Sequence, residues 1–193
     1  MSRTLQIIRD EHTALSAMLR SLLMMEEKGP GDEPERYFDV LRAMLFYIDE
    51  FPERLHHPKE SELLFPKVVK AQPALANVIR RLDNEHLAGE SRVRELQHLL
   101  LAWELLGEPR RMAFAKGLKE YVGFYLEHMK VEELEILPAA EASLTPAEWA
   151  EIDAAFERER DPLAGGERHP AYDRLFTRIV MKAPAPIGVG PAF

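Results

Sequence analysis

The apolar positions of this chain fall into stripes of helical period. Leu5, Ile8, His12, Leu15, Leu19 and Leu22 alternate steps of three and four, which puts them on one face of an amphipathic helix with a histidine inside that face. The stretch from Lys28 to Pro34, rich in Gly and Pro, ends it. A second stripe of Tyr37, Leu41, Met44 and Ile48 leads through Leu55 to Glu60, but Pro52 and Pro58 interrupt it. An interior proline forfeits a backbone hydrogen bond and clashes with the preceding turn, at about 3 kcal/mol. A kink or bulge is therefore expected near Pro58, between His56 and Glu60, where the distortion would serve to aim His56. The third stripe is unbroken: Leu82, His86, Gly89, Val93, Leu96, Leu100 and Trp103. Gly89 leaves a core position without a side chain, at roughly 1 kcal/mol of helix propensity against Ala. Either a neighbouring helix packs closely there or the gap admits a small ligand. The fourth stripe reads Met112, Leu118, Tyr121, Tyr125, His128, Glu132 and Ile136, before Pro138.

Beyond Pro138 the signals are local. Thr145-Pro146-Ala147-Glu148 has the form of a capping box with proline at the first helical position and predicts a fifth helix to about Arg160. Residues 171–182 predict a sixth, with Leu175, Phe176, Ile179 and Val180 inward. The closing APAPIGVGPAF has no helical pattern and is expected to be an extended tail.

Composition narrows the class. A chain of 193 residues is most simply one domain with a full core and appended helices, and the abundance of Leu, Ala, Glu and Arg favours an all-α fold. A formal charge of −8 argues against general nucleic-acid affinity, which requires clustered Lys and Arg. No apolar run approaches the roughly 18 residues that would span a bilayer. MSRTLQIIRDEH carries charges where a signal peptide is apolar, so a cytoplasmic location is expected. Absence of cysteine excludes disulfides, thiolate ligands and Cys-ligated iron–sulfur clusters. Any metal must sit on nitrogen and oxygen.

One phrase occurs twice. Glu11-His12 is followed by His56-x3-Glu60-x5-Pro66, and Glu85-His86 by His128-x3-Glu132-x5-Pro138. Residues four apart in a helix are separated by roughly 40° around the axis, so each His-x3-Glu presents both side chains from one face. The flanking stripes turn that face into the core, where four histidines and two carboxylates without partners would be costly. A lone core histidine is more often a hydrogen-bonded structural residue, and a lone His-x3-Glu a solvated helix contact. Six such positions in matching register on four helices point to metal. Six nitrogen and oxygen ligands are too many for one tetrahedral zinc, and the imidazole share is too large for calcium or magnesium. Two non-haem irons fit better. Two histidines per iron, two bridging carboxylates and an oxo or hydroxo bridge make five ligands each and leave a position open on both.

The pattern His, His-x3-Glu, His, His-x3-Glu resembles that of the hemerythrin-like, or HHE cation-binding, family, with HHPKESELLFP and EHMKVEELEILP similar to its two characteristic segments. The resemblance covers about residues 4–138. It implies an up-down-up-down four-helix bundle over residues 1–140, a helical extension over 141–182 packed on it and a tail over 183–193. It further implies His12, His56, Glu60, His86, His128 and Glu132 as ligands, with Glu60 and Glu132 as bridges. Oxygen-carrying hemerythrins have a further histidine where Glu90 stands here, and an Asp among their bridging carboxylates, so reversible oxygen carriage is not implied. The expected function is reaction with, or sensing of, dioxygen, peroxide or nitric oxide, up to catalase-like turnover. An iron-responsive sensor or iron-handling module acting through a protein partner is the alternative.

Four neighbours are candidates for an extra ligand or a supporting position. Glu90 is read as solvated or supporting before ligating. His57, about 100° around the helix from His56, is read as exposed or behind the ligands, and Glu133 is read likewise. Tyr125, on the His128 face, could bring its hydroxyl near bound oxygen or peroxide, or simply pack. His98 and His169 should not bind.

Overall fold

The computed structural model describes residues 2–167 and 169–191. Six helices account for most of the described chain. α1 is Arg3–Lys28, started by the Ser2 hydroxyl, which accepts from the Thr4 amide. α2 runs over residues 34–71, α3 is Ala76–Leu106, and α4 runs over residues 111–143. α1 packs on α2 and α4, α2 on α3, and α3 on α4. Short connections join successive helices, so the four alternate in direction and close into an up-down-up-down bundle.

Two of these helices are not uniformly α. α2 is α-helical at Pro34–Ile48, π-wound at Asp49–His56, α-helical at His57–Lys59, π-wound at Glu60–Leu64 and α-helical again at Phe65–Ala71. α4 is α-helical at Arg111–Val131, π-wound at Glu132–Ile136 and α-helical at Leu137–Ser143. The repeated proline accounts for the repeated π turn. Pro66 and Pro138 have no N–H, and their rings press on the carbonyl four residues back. The preceding amides, of Phe65 and Leu137, reach five residues back to Glu60 and Glu132. The wider turn absorbs the ring, and in both halves it begins at the glutamate of the motif. The expected irregularity in α2 is present, though His57–Lys59 itself is α-helical and the π turns flank it. The upstream π segment has no counterpart in α4, where Phe124 and Lys130 stand in place of Pro52 and Pro58.

The remaining helices lie outside the bundle. α5, Pro146–Arg158, opens on the expected capping box, in which the Thr145 hydroxyl accepts from the Glu148 amide while Glu148 accepts from the Thr145 amide. Ile152 and Phe156 seat it in an apolar cluster with Leu5, Ile8, Leu64, Phe65 and Ile136. α6 runs over residues 173–182 and buries Phe176 and Ile179, but Val180 faces outward, contrary to expectation. The stripe continues instead to Ala183, which is fully buried. The tail does not run out extended over the described residues 183–191. The amides of Val189 and Gly190 bond the carbonyls of Val180 and Ala183, folding the Pro- and Gly-rich segment back on the end of α6. A second, larger apolar cluster fills the other end of the bundle. Between the two clusters lies a layer of histidine and glutamate.

Candidate metal centre

His12 comes from α1, His56 and Glu60 from α2, His86 from α3, and His128 and Glu132 from α4. All six are buried, Glu60 and Glu132 at 0% and 1% exposure. Glu60 Oε2 lies 3.2 Å from His56 Nε2 and 3.7 Å from His86 Nε2. Glu132 also reaches both hairpins, with separate oxygens: Oε2 is 3.4 Å from His12 Nε2, and Oε1 is 3.2 Å from His128 Nε2 and 3.5 Å from His86 Nε2. The triplets His12–His56–Glu60 and Glu60–His86–Glu132 each bring ligand atoms within 4.8 Å of one another.

The bonding deficit of this layer fits a cation. Both oxygens of Glu60, both of Glu132, and Nε2 of His12 and His56 are buried without a hydrogen-bond partner, a condition too costly for six convergent polar atoms unless something else satisfies them. His86 Nε2 and His128 Nε2 lie 2.9 Å apart. At that distance a proton on one nitrogen bridges the pair, and a bound cation would take that proton's place. Electrostatics agree. Burial opposes charge on His128, yet Glu132 and Glu85 outweigh it and raise the imidazole to about 9. Burial likewise opposes charge on His56, and Glu60 and Glu11 lift it well above the usual histidine range. Where no cation sits, the glutamates draw protons onto His56 and His128. Imidazole nitrogen together with carboxylate oxygen suits a first-row transition metal.

Each imidazole is held from behind. His56 Nδ1 lies 2.7 Å from Glu11 Oε2 and His128 Nδ1 2.8 Å from Glu85 Oε2. His12 Nδ1 lies 3.0 Å from Glu133 Oε1, and His86 Nδ1 2.9 Å from Ser61 Oγ. Such contacts fix the tautomer that leaves Nε2 free for a metal. The pattern is two-fold: the residue before the first histidine orients the second histidine of the same hairpin, and the residue after each glutamate orients the first histidine of the other. Glu11 and Glu85 belong to the repeated phrase, but sequence reasoning gave them no role. Strict recurrence of the Glu-His doublet was the available signal.

The four neighbouring candidates separate. Glu133 is partly exposed and holds His12. Glu90 is brought to the surface, where it pairs with Arg94. His57 is not exposed; it is 4% accessible, with its ring stacked on His86 at 4.2 Å between centroids and 11° between planes. The π winding of Asp49–His56 widens the buried face of α2 and takes His57 inside. A ligand atom of His57 comes within 4.8 Å of those of His86 and His128, but an imidazole lone pair lies in its ring plane, so stacked rings do not both aim at one ion. His57 Nδ1 instead meets Glu53 Oε2 at 3.1 Å. Tyr125 is buried and donates to Glu53 Oε1, as does Tyr121 at 3.1 Å. Gly89 makes room for these groups: a Cβ there would stand 1.9 Å from the Tyr125 hydroxyl and 2.6 Å from Glu53 Oε2. Close packing, not a ligand, occupies the gap. His98 and His169 are exposed, and neither joins a candidate metal-holding group among the described residues.

Glu53 and Asp161 carried no sequence signal. Asp161, in the loop after α5, donates its amide to Glu11 Oε1 at 3.0 Å and accepts from the Tyr47 hydroxyl. A small, mainly apolar cavity lined by Leu15, Phe51, Pro52, Leu55 and Asp161 opens beside His12 and His56. On the other side a surface cleft lined by Ser61, Glu62, Asp83 and Leu87 reaches His57 and His86. Among the described residues no helix is long and apolar enough to cross a membrane. Compared with known proteins, residues 3–140 match the model of the hemerythrin HHE cation-binding domain. No curated protein matches the chain.

Proposed function

The chain belongs to the hemerythrin HHE cation-binding family, and on that premise we propose that it binds two non-haem irons and reacts with dioxygen, peroxide or nitric oxide. His12 and His56 would serve one iron and His86 and His128 the other, with Glu60 and Glu132 spanning both. The observation that carries this reading is the reach of each glutamate to histidines of both hairpins, combined with oxygens that find no protein partner. When bound, such a pair supplies redox and Lewis-acid chemistry toward small oxygen and nitrogen molecules. The chain's own part is to orient four imidazoles through Glu11, Ser61, Glu85 and Glu133, and to keep bulk water from a buried layer. The apolar cavity beside His12 and His56 suits a small uncharged molecule.

Metal analysis of anaerobically purified protein, followed by titration with dioxygen, peroxide and nitric oxide, tests the proposal. Two irons per chain and a spectral change or turnover are expected. Iron-loaded protein inert to all three overturns the reactive role, and failure of Fe(II) to raise thermal stability overturns the metal itself.

A second reading, an iron-responsive module that signals through a protein partner, is favoured by one contact. The Asp161 amide on Glu11, which in turn holds His56, ties the extension to a candidate ligand. Metal-dependent hydrogen exchange in residues 146–167, without turnover, would select it.

A further inference from the structure

Beside the His86 and His128 half lies a buried polar group that metal binding does not require. Glu53 Oε1 accepts from the hydroxyls of Tyr121 and Tyr125, and Glu53 Oε2 faces His57 Nδ1. The Tyr125 ring lies parallel to that of His57, 5.7 Å between centroids and 5° between planes, and edge-on to His128 at 5.9 Å. Tyr121 follows at 4.8 Å from Tyr125. All these side chains are buried, and α3 omits a side chain at Gly89 to admit them. A core that needed only packing would fill this volume with apolar groups at less cost.

We propose that Tyr125 is a one-electron relay for the centre, with Glu53 as acceptor of its phenolic proton. The inference rests on the peroxide reaction proposed above. An electron passes from the Tyr125 ring toward the centre as peroxide is reduced, and the phenol O–H bond breaks as its proton moves along the existing hydrogen bond to Glu53. Per electron, one tyrosine, one Glu53 carboxylate, half a peroxide and one proton from water become one tyrosyl radical, one protonated Glu53 and one water. An oxidised phenol is strongly acidic, so it loses its electron readily only where a base already holds its hydrogen. Glu53 is such a base: burial, the largest influence, pushes its carboxyl up to about 7 despite the bonds from Tyr125 and Tyr121, making it more basic than an exposed carboxylate. Tyr121, 4.8 Å from Tyr125 between ring centroids, gives the oxidising equivalent a next step toward a reductant.

Hydrogen peroxide is mixed with the iron-loaded protein, and samples frozen at intervals are read by electron paramagnetic resonance while absorbance follows the centre. The native protein should give an organic radical whose line shape changes on ring deuteration of tyrosine. Tyr125→Phe should lose it while keeping helix content and the peroxide-driven absorbance change. Glu53→Gln, which keeps an acceptor oxygen but is a far weaker base, should lose it as well, and Tyr121→Phe should retain it. No radical in the native protein, or an undiminished one in Tyr125→Phe, with the absorbance change intact, overturns the relay. Absence of any absorbance change overturns the peroxide reading instead. A photogenerated one-electron oxidant then decides the relay alone: oxidation settling on Tyr125 supports it, and oxidation settling elsewhere overturns it.

Discussion

The two hairpins place the same candidate ligand types in the same register but surround them differently. In the first, His12 and His56 lie beneath the C-terminal extension. Glu11 is buried, braced by the Asp161 amide, and Phe156 stands edge-on to His56. In the second, Glu85 performs the same service for His128 with 24% of its side chain exposed and Arg81 3.7 Å away at the surface. The inner positions differ as well. A step of 72 residues maps His56 onto His128, and the same step maps Asp49 and Glu53 of α2 onto Tyr121 and Tyr125 of α4. Near-symmetry therefore sets acids of one helix against phenols of the other. Where Gly89 clears space in α3, the matching place in α1 holds Leu15. A two-fold set of candidate ligands can thus have one side capped by the extension and one side with phenols set against a buried carboxylate. Ligand identity alone does not predict equal reactivity.

The largest effect should come from the residues the halves share. Replacing Glu60 or Glu132 with Ala removes a carboxylate that reaches both hairpins, so each single change should lower bound iron from two per chain to one or fewer by metal analysis. Retention of two irons in either variant would break the picture of shared bridges and leave two independent sites.

Loss of the supporting carboxylates comes next and should be unequal. Removing a group that orients a ligand typically costs about 10–100-fold in metal affinity. Glu11→Gln should fall at the upper end, because Glu11 is buried and tied to the extension, and Glu85→Gln at the lower end, because solvent can replace an exposed partner. Competition with a chelator of known affinity measures both. Equal losses would mean that the extension contributes nothing to the first half.

How much of this was written in the sequence depends on whether a partner is local. The doubled phrase pointed to six residues because helical periodicity places each on a core face, and the structure brings those six into one layer. The distortion of α2 could be expected from its prolines, although the π turns starting at Glu60 and Glu132 follow from Pro66 and Pro138 and not from Pro58. Adjacency misled elsewhere. Glu11 touches His56 and not His12, because neighbours in a helix point about 100° apart and so face different helices. Glu90, one turn from His86 and about 40° around the axis, could be read as a possible ligand, but it lies on the exposed edge of that face and pairs with Arg94. Glu53 meets Tyr125 across 72 residues of chain, and no periodicity announces such a contact.

Gly89→Ala tests the polar half alone. The added carbon would lie 1.9 Å from the Tyr125 hydroxyl, so the phenol and Glu53 must move. Overpacking of this kind costs about 1–3 kcal/mol, set against a gain of about 1 kcal/mol in helix propensity. A net loss is expected in denaturant unfolding. The equivalent change on the other hairpin, Leu15→Ala, should also destabilise, but through a cavity, leaving the Glu53–Tyr125 contact in place. If Gly89→Ala were neutral, the polar cluster would have slack and its packing would not be evidence of a built site.

The smallest effect concerns the closed half and pH. Burial is the main influence on Asp161 and pushes its carboxyl up to about 6 from an ordinary 3.8, despite the hydrogen bonds from Tyr47 and the Leu163 amide. A carboxyl whose pKa is higher in the folded state than in the unfolded one binds more protons when folded. Its ionisation therefore weakens folding as pH rises from about 4 to about 6, and the loss persists above that range. Asp161→Asn removes the titration while preserving an oxygen for the Leu163 amide and a partner for Tyr47. Histidine and glutamate contributions common to both proteins cancel in the difference between native and variant. The variant should match the native protein near pH 4 and exceed it by about 1–3 kcal/mol at pH 7, given roughly 1.4 kcal/mol per pKa unit. Denaturant midpoints measured across that range on metal-free protein supply the comparison. A constant difference would show that Asp161 ionises freely, and with it that the extension does not seal the His12 and His56 side from water.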